Sequence, residues 1–259
     1  MKYLLTLALS AICSGACGQP VGDCYILGGQ SNMEGAAPLA GEPAPSHPNQ
    51  IWNLQHDGSS FIPAKDPLFA GMPGAQVGPG LWFLDGMAGY FGVPIGAAGT
   101  ALGGTSMSQW APDYTTYSLY WCLISRALSA EHLGWTIRGF VWYQGESDSI
   151  NPQDVALYTT RMHAFFNAVR QDLNLPNLPI VFVQLGPDPK SAGFPYWSQI
   201  QAWQARIISA TPPNMAMVTA SDLHSLTGAQ NNHLDQASQI ILGGRIAAAM
   251  NQLLETQGY

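Results

Sequence analysis

Short apolar runs alternate with helix-spaced stretches along nearly the whole chain, and that alternation restricts the fold more than any other feature. The strand-like runs are Cys24–Leu27, Val93–Ala98, Thr136–Tyr143, Ile180–Leu185 and Met215–Thr219. Helix-like stretches occupy 80–91, 117–132, 151–173, 196–209 and 235–254. In the first, Leu81, Leu84, Met87, Ala88 and Phe91 recur at helical spacing; in the third, Val155, Tyr158, Met162, Phe165, Phe166 and Val169 do so. Strands separated by helices predict a three-layer α/β domain, a central parallel five-stranded sheet covered on both faces. No linker or internal repeat divides 19–259, so one domain is expected. The Pro- and Gly-rich segment 36–79 interrupts the pattern. Within it, Ile51–Gln55 and Ser60–Ala64 flank His56-Asp57-Gly58-Ser59, which predicts a hairpin.

Right-handed crossovers would bring the turns after the first three strands to one edge of the sheet. Those turns are unusually polar. The first is Gly28-Gly29-Gln30-Ser31-Asn32-Met33, the second contains Gly103-Gly104, and the third is Gln144-Gly145-Glu146. Open α/β sheets bind ligands at the carboxyl ends of their strands, so Ser31 is a candidate nucleophile. A serine hydroxyl needs a base to take its proton. Of the six histidines, His233 lies just before the last helix, where the chain returns to that edge, and is favoured over His224 in the loop after the fifth strand. The helix amino terminus beyond His233 disfavours an imidazolium, so a carboxylate partner is expected. Glu146 is preferred, with Asp222 and Asp235 as alternatives. A developing oxyanion would find donors in the Ser31 N–H, a Gly103 or Gly104 N–H and the Gln144 amide.

The chain carries nine Lys and Arg against sixteen Asp and Glu, which argues against a nucleic-acid partner. Residues 1–18 have the marks of a signal peptide: Lys2, an apolar run from Tyr3 to Ile12, then small residues. The run is too short to span a bilayer, so the expected setting is secreted or periplasmic with no membrane span. Ser14-Gly15-Ala16 lacks the aliphatic residue that lipid modification at Cys17 would call for. After cleavage Cys24 and Cys122 remain, and in an oxidising compartment they are expected to form a bridge, with two buried thiols as the alternative. Neither has metal-ligand spacing, so no metal is expected. The oligomeric state stays open.

GGQSNM at 28–33, GGTSMSQW at 103–110, WYQGESD at 142–148 and HLDQASQIILGGRIA at 233–247 together resemble the SGNH-type carbohydrate esterases. Within them the nearest groups are the sialate O-acetylesterase-like domain and carbohydrate esterase family six. The resemblance implies a flavodoxin-like sheet, a Ser31–His233 pair, removal of acetyl groups from a carbohydrate substrate, and no cofactor. It also implies oxyanion roles for Ser31, the Gly103-Gly104 turn and Gln144. One position departs: many relatives place Asp three residues before the histidine, where this chain has Gln230. Either Glu146 completes a triad, or a dyad operates, or activity is lost. A carbohydrate-binding protein using some of the eight tryptophans (Trp52, Trp82, Trp110, Trp142 and Trp197 among them) is the competing reading, with a lipid or thioester hydrolase third. The absence of GxSxG around Ser31 argues against the ordinary α/β-hydrolase fold.

Overall fold

The computed structural model describes residues 20–69, 74–115, 118–191, 193–209 and 214–259, with the side chains of Ser209 and Gln230 set aside. The segment 1–18, expected to be a signal peptide, lies outside the described residues. The chain runs β1 (Asp23–Gly29), α1 (Ser31–Glu34), β2 (Ile51–Leu54), β3 (Phe61–Pro63), α2 (Gly80–Phe91), β4 (Ile95–Ala101) and α3 (Leu119–His132). It continues through β5 (Thr136–Tyr143), α4 (Pro152–Asp172), β6 (Ile180–Val183), α5 (Trp197–Ser209), β7 (Met215–Val218) and α6 (Gln236–Thr256).

The sheet has seven strands in the order β3-β2-β4-β1-β5-β6-β7. All neighbours pair in parallel except β2 and β3. The five strands expected from the sequence form the run β4-β1-β5-β6-β7, which is the flavodoxin-like order with β1 at the switch point. The count of five is corrected by the hairpin, which joins the β4 edge instead of standing apart. Arg126 on α3 explains why. Its guanidinium donates to the Gly99 carbonyl at 2.6 Å and to the Leu54, Gln55 and His56 carbonyls at 2.8–3.0 Å, tying the hairpin to β4. Every residue of β1 and β4 is buried, as strands covered on both faces require. Helices α2 and α6 pack together, as do α4 and α5. Gly243 lets α6 approach closely, since a Cβ there would sit 2.5 Å from the Trp82 Cβ.

Helix ends follow the caps. Asn151 stands outside α4 and accepts from the Asp154 N–H at 2.9 Å, ahead of Pro152 in the first turn. Asp235 likewise caps α6 by accepting from the Ser238 N–H at 2.8 Å. Trp110, Trp142 and Trp197 are core residues, and Trp52 and Trp82 are half-buried against the core, so these five offer no exposed platform for sugar stacking. Among the described residues no helix is long and apolar enough to cross a membrane.

The expected bridge is not formed: Cys24 and Cys122 are both free thiols. Cys24 is fully enclosed in the central strand, where burial pushes its thiol well above the usual range, while Cys122 is half-buried on α3. Iodoacetamide applied without reductant should therefore modify Cys122 in the native protein and Cys24 only after unfolding. Peptide masses with both cysteines protected until reductant is added would contradict the structure.

Candidate active site

The first turn is shaped by Gly29. Its φ of +147° suits glycine alone, and a Cβ there would lie 2.0 Å from the Tyr143 carbonyl of β5. The Gln30 N–H continues the pairing by donating to that carbonyl at 3.0 Å, after which the chain turns into α1. Ser31 thus stands at the carboxyl end of the central strand, at the switch point.

The imidazole arrives from the far end of the chain. Ser225 and Leu234 form an antiparallel bridge, with the Leu226 N–H donating to the His233 carbonyl at 2.8 Å and the Asp235 N–H to the His224 carbonyl at 2.9 Å. This short ribbon directs His233 to the serine, and its Nε2 lies 2.8 Å from Ser31 Oγ. Burial holds the His233 pKa below the ordinary value, which favours a neutral ring able to accept a proton. His224, by contrast, is exposed.

Asn32 fixes the ribbon. Its Oδ1 accepts from the Leu234 N–H at 3.0 Å and its Nδ2 donates to the Asn232 carbonyl at 3.0 Å, gripping the backbone on both sides of His233. The same Nδ2 donates to Glu146 Oε1 at 2.7 Å. Only the adjacency of Asn32 to Ser31 hinted at this role. The Glu146 carboxyl, 1% exposed, is raised to about 7 by desolvation, against the side-chain hydrogen bonds of Asn32 and Gln30 that favour its charged form. Glu146 is therefore joined to the His233 segment through Asn32 and makes no hydrogen bond to the imidazole, which corrects the expectation of direct contact. The alternatives are engaged elsewhere: Asp222 makes a two-pronged contact of 2.7 Å with Arg245, and Asp235 caps α6. The side chain of Gln230, at the position that departs from the relatives, lies outside those described.

The expected oxyanion donors divide. Gln144 is fully buried and donates to the Thr105 carbonyl at 3.0 Å and to Asp148. Asp148 in turn accepts from the Met107 N–H at 3.0 Å, so this network supports the loop after β4 from beneath. Gln144 does not face the site. The Gly103 N–H donates to Glu34 Oε2 at 2.7 Å, a partner that no motif in the chain foretells. Gly104 is exposed and lines the same cavity as Ser31 and His233. That cavity, about 730 Å³, also takes in Glu34, Glu146 and Phe194. Among the described residues no group of three or more His, Cys, Asp or Glu is placed to hold a metal ion.

Comparison with known proteins gives the same answer at the level of family. Residues 21–252 match the family described as carbohydrate esterase, sialic acid-specific acetylesterase. A probable carbohydrate esterase of Arabidopsis thaliana, At4g34215, is 28% identical over 249 residues, covering 89% of this chain and 90% of that protein. Its solved structure superposes with a TM-score of 0.77 over 90% of this chain and 98% of the other. NanS shares the fold at 18% identity, with a TM-score of 0.70 over 92% of this chain and 99% of NanS. A carbohydrate acetylesterase of Xanthomonas citri, XAC1771, does so at 21% identity, with a TM-score of 0.66 over 90% of this chain and 56% of that one. The chain belongs to the SGNH-type carbohydrate esterase family described as sialic acid-specific acetylesterase.

Proposed function

We propose that this protein removes O-acetyl groups from carbohydrates, with Ser31 as nucleophile and His233 as general base. The observation that supports this reading most directly is the 2.8 Å contact between Ser31 Oγ and His233 Nε2 in an open cavity. As Ser31 Oγ bonds to the acetyl carbonyl carbon, His233 Nε2 takes its proton. The tetrahedral oxyanion is met by the Ser31 and Gly104 N–H groups, since the Gly103 N–H is held by Glu34. Collapse breaks the bond to the sugar oxygen, which leaves with the proton from His233. Water, deprotonated by the same imidazole, then attacks acetyl-Ser31 and releases acetate. Asn32 and Glu146 act as positioning residues for the His233 segment. The proposed setting is outside the cytoplasm, on the strength of the amino-terminal segment.

A fluorophosphonate probe tests the assignment together with acetate release from acetylated xylan. The expected result is one covalent adduct, on the Ser31 peptide, and acetate release that stops as labelling completes. Retention of the glycan with no labelling and no acetate would favour a binding protein instead.

A further inference from the structure

One wall of the cavity is a short ribbon made by two stretches of the 36–79 segment. Ala36, Pro38, Gly74 and Gln76 line the cavity from it. Ala37 and Val77 pair antiparallel through N–H···O contacts of 3.0 and 3.2 Å, and the Gln76 N–H donates to the Gly35 carbonyl at 2.9 Å. Gln236 on α6 donates to the Pro38 carbonyl at 2.6 Å. Just beyond, the Glu42 N–H closes a turn by donating to the Leu39 carbonyl at 3.2 Å. Asp66 accepts from the Leu68 and Gly78 N–H groups and meets Glu42 side chain to side chain. The pair therefore joins the two stretches of the ribbon, Glu42 following one and Asp66 holding the end of the other. Among the described residues no Lys, Arg or His forms an ion pair with either carboxyl, and Lys65, next in the chain, is exposed. Two ionised carboxylates cannot donate to each other, and Glu42 Oε1 and Asp66 Oδ2 are buried with no other donor. A proton between them supplies the missing donor and removes one of two adjacent like charges.

We infer that Glu42 and Asp66 share one proton and act as positioning residues, clasping the ribbon so that the cavity keeps its shape for the carbohydrate. The functional half of the inference rests on the esterase reading. Burial first, and then the charge of Glu42, raise the Asp66 carboxyl well above its ordinary value, as a retained proton requires. Neither residue bonds to Ser31 or His233, so the clasp acts on the wall and leaves the proton transfer alone. Its loss should therefore be felt in the binding of a sugar chain, which reaches the wall, more than in a small acetate, which needs only the serine and the imidazole.

Two measurements test it, one on the proton and one on the wall. In the unfolded chain both carboxyls ionise near ordinary values, whereas the folded pair keeps a proton, so its stabilisation is present at acid pH and lost as the pH rises. Asp66→Asn carries a permanent donor to Glu42 and keeps an oxygen for the backbone N–H groups, and it needs no proton. Urea unfolding between about pH 5 and 8 should show its folding equilibrium falling less steeply than the parent's, by up to about tenfold per pH unit. Equal slopes overturn the shared proton. On acetylated xylan, Glu42→Ala should raise KM about three- to tenfold, the equivalent of one lost hydrogen bond, with kcat retained. Asp66→Asn, which restores the donor, should keep the parental KM. A parental KM in Glu42→Ala, or an equal rise in Asp66→Asn, overturns the positioning role. An aryl acetate run alongside separates the two levels. If the parent cleaves it, the KM comparison judges the clasp; if it goes uncleaved, the esterase reading falls, and the unfolding slopes alone decide whether the proton is shared.

Discussion

Ser31→Ala should lower turnover of acetylated xylan and of an aryl acetate by about 10⁴- to 10⁶-fold, the loss seen when a serine hydrolase is deprived of its nucleophile. His233→Ala should fall in the same range, and the double variant should be no worse than either single one. That non-additivity is the informative part. Two groups acting in one proton transfer are lost together when either goes, whereas independent binding groups would multiply their losses. KM should change little, because the Ser31 hydroxyl bonds to the carbonyl carbon only as reaction proceeds. The site is also built to keep its fold through these changes. The His233 segment is gripped by Asn32 through the Asn232 carbonyl and the Leu234 N–H, neither of which involves the imidazole. Circular dichroism and melting temperature should therefore stay near the parent values. Retention of more than about a tenth of parental turnover by Ser31→Ala would remove Ser31 from the chemistry, given the size of the effect expected.

How far the sequence alone reaches is instructive residue by residue. The five central strands are legible because a parallel sheet buried on both faces leaves continuous apolar runs such as Thr136–Tyr143, and the polar turns stand out against them. The meeting of Ser31 and His233 follows from topology, since β1 at the switch point and the return before α6 share one edge. The hairpin's membership of the sheet is not legible. It depends on Arg126, some seventy residues on, whose donors gather the carbonyls of Leu54, Gln55 and His56 at the end of β2 together with the Gly99 carbonyl of β4. Gln144 misleads for a related reason. An amide beside a polar turn reads equally as a donor to substrate or as a brace. Only the partners Thr105 and Asp148, from other segments, decide for the brace. Asn32 and Glu34 were hidden by the serine between Gln30 and Asn32, because their roles lie in what they touch across the fold. Cys24 and Cys122 show the limit of compartment arguments: two cysteines outside the cytoplasm can pair, but one enclosed in the central strand has its position fixed by packing first.

Raising the pH from 4.5 to 7.5 should destabilise the folded protein, and Glu146→Gln should remove a large part of that loss. Glu146 and Asp148 are both fully buried, and desolvation raises each to about 7. In the unfolded chain they would ionise near the ordinary carboxylate values, so between those values and about 7 the folded state binds more protons than the unfolded one. Their contribution is accordingly complete at the acidic end of the window and is lost as the pH rises through the folded-state values. For Glu146 the loss amounts to about 3 kcal/mol at 1.36 kcal/mol per unit, and Asp148 adds an amount of the same order. His233 has the opposite sign. Its folded-state value is lowered by burial, so its contribution is present above the ordinary histidine range and fades as the pH falls. The comparison of variants separates these effects. Urea unfolding at several pH values should give a parent whose stability declines across the window. Glu146→Gln should have a shallower slope by up to one proton's worth and Asp148→Asn a similar one. Asn32→Ala should move the window upward instead, since it deletes the hydrogen bond that favours the charged Glu146 carboxylate. A parent whose stability is flat or climbs over this range, with Glu146→Gln parallel to it, would mean that Glu146 is hydrated in solution and does not hold Asn32 from a dry interior. The link from Glu146 through Asn32 to the His233 ribbon would then carry no energy.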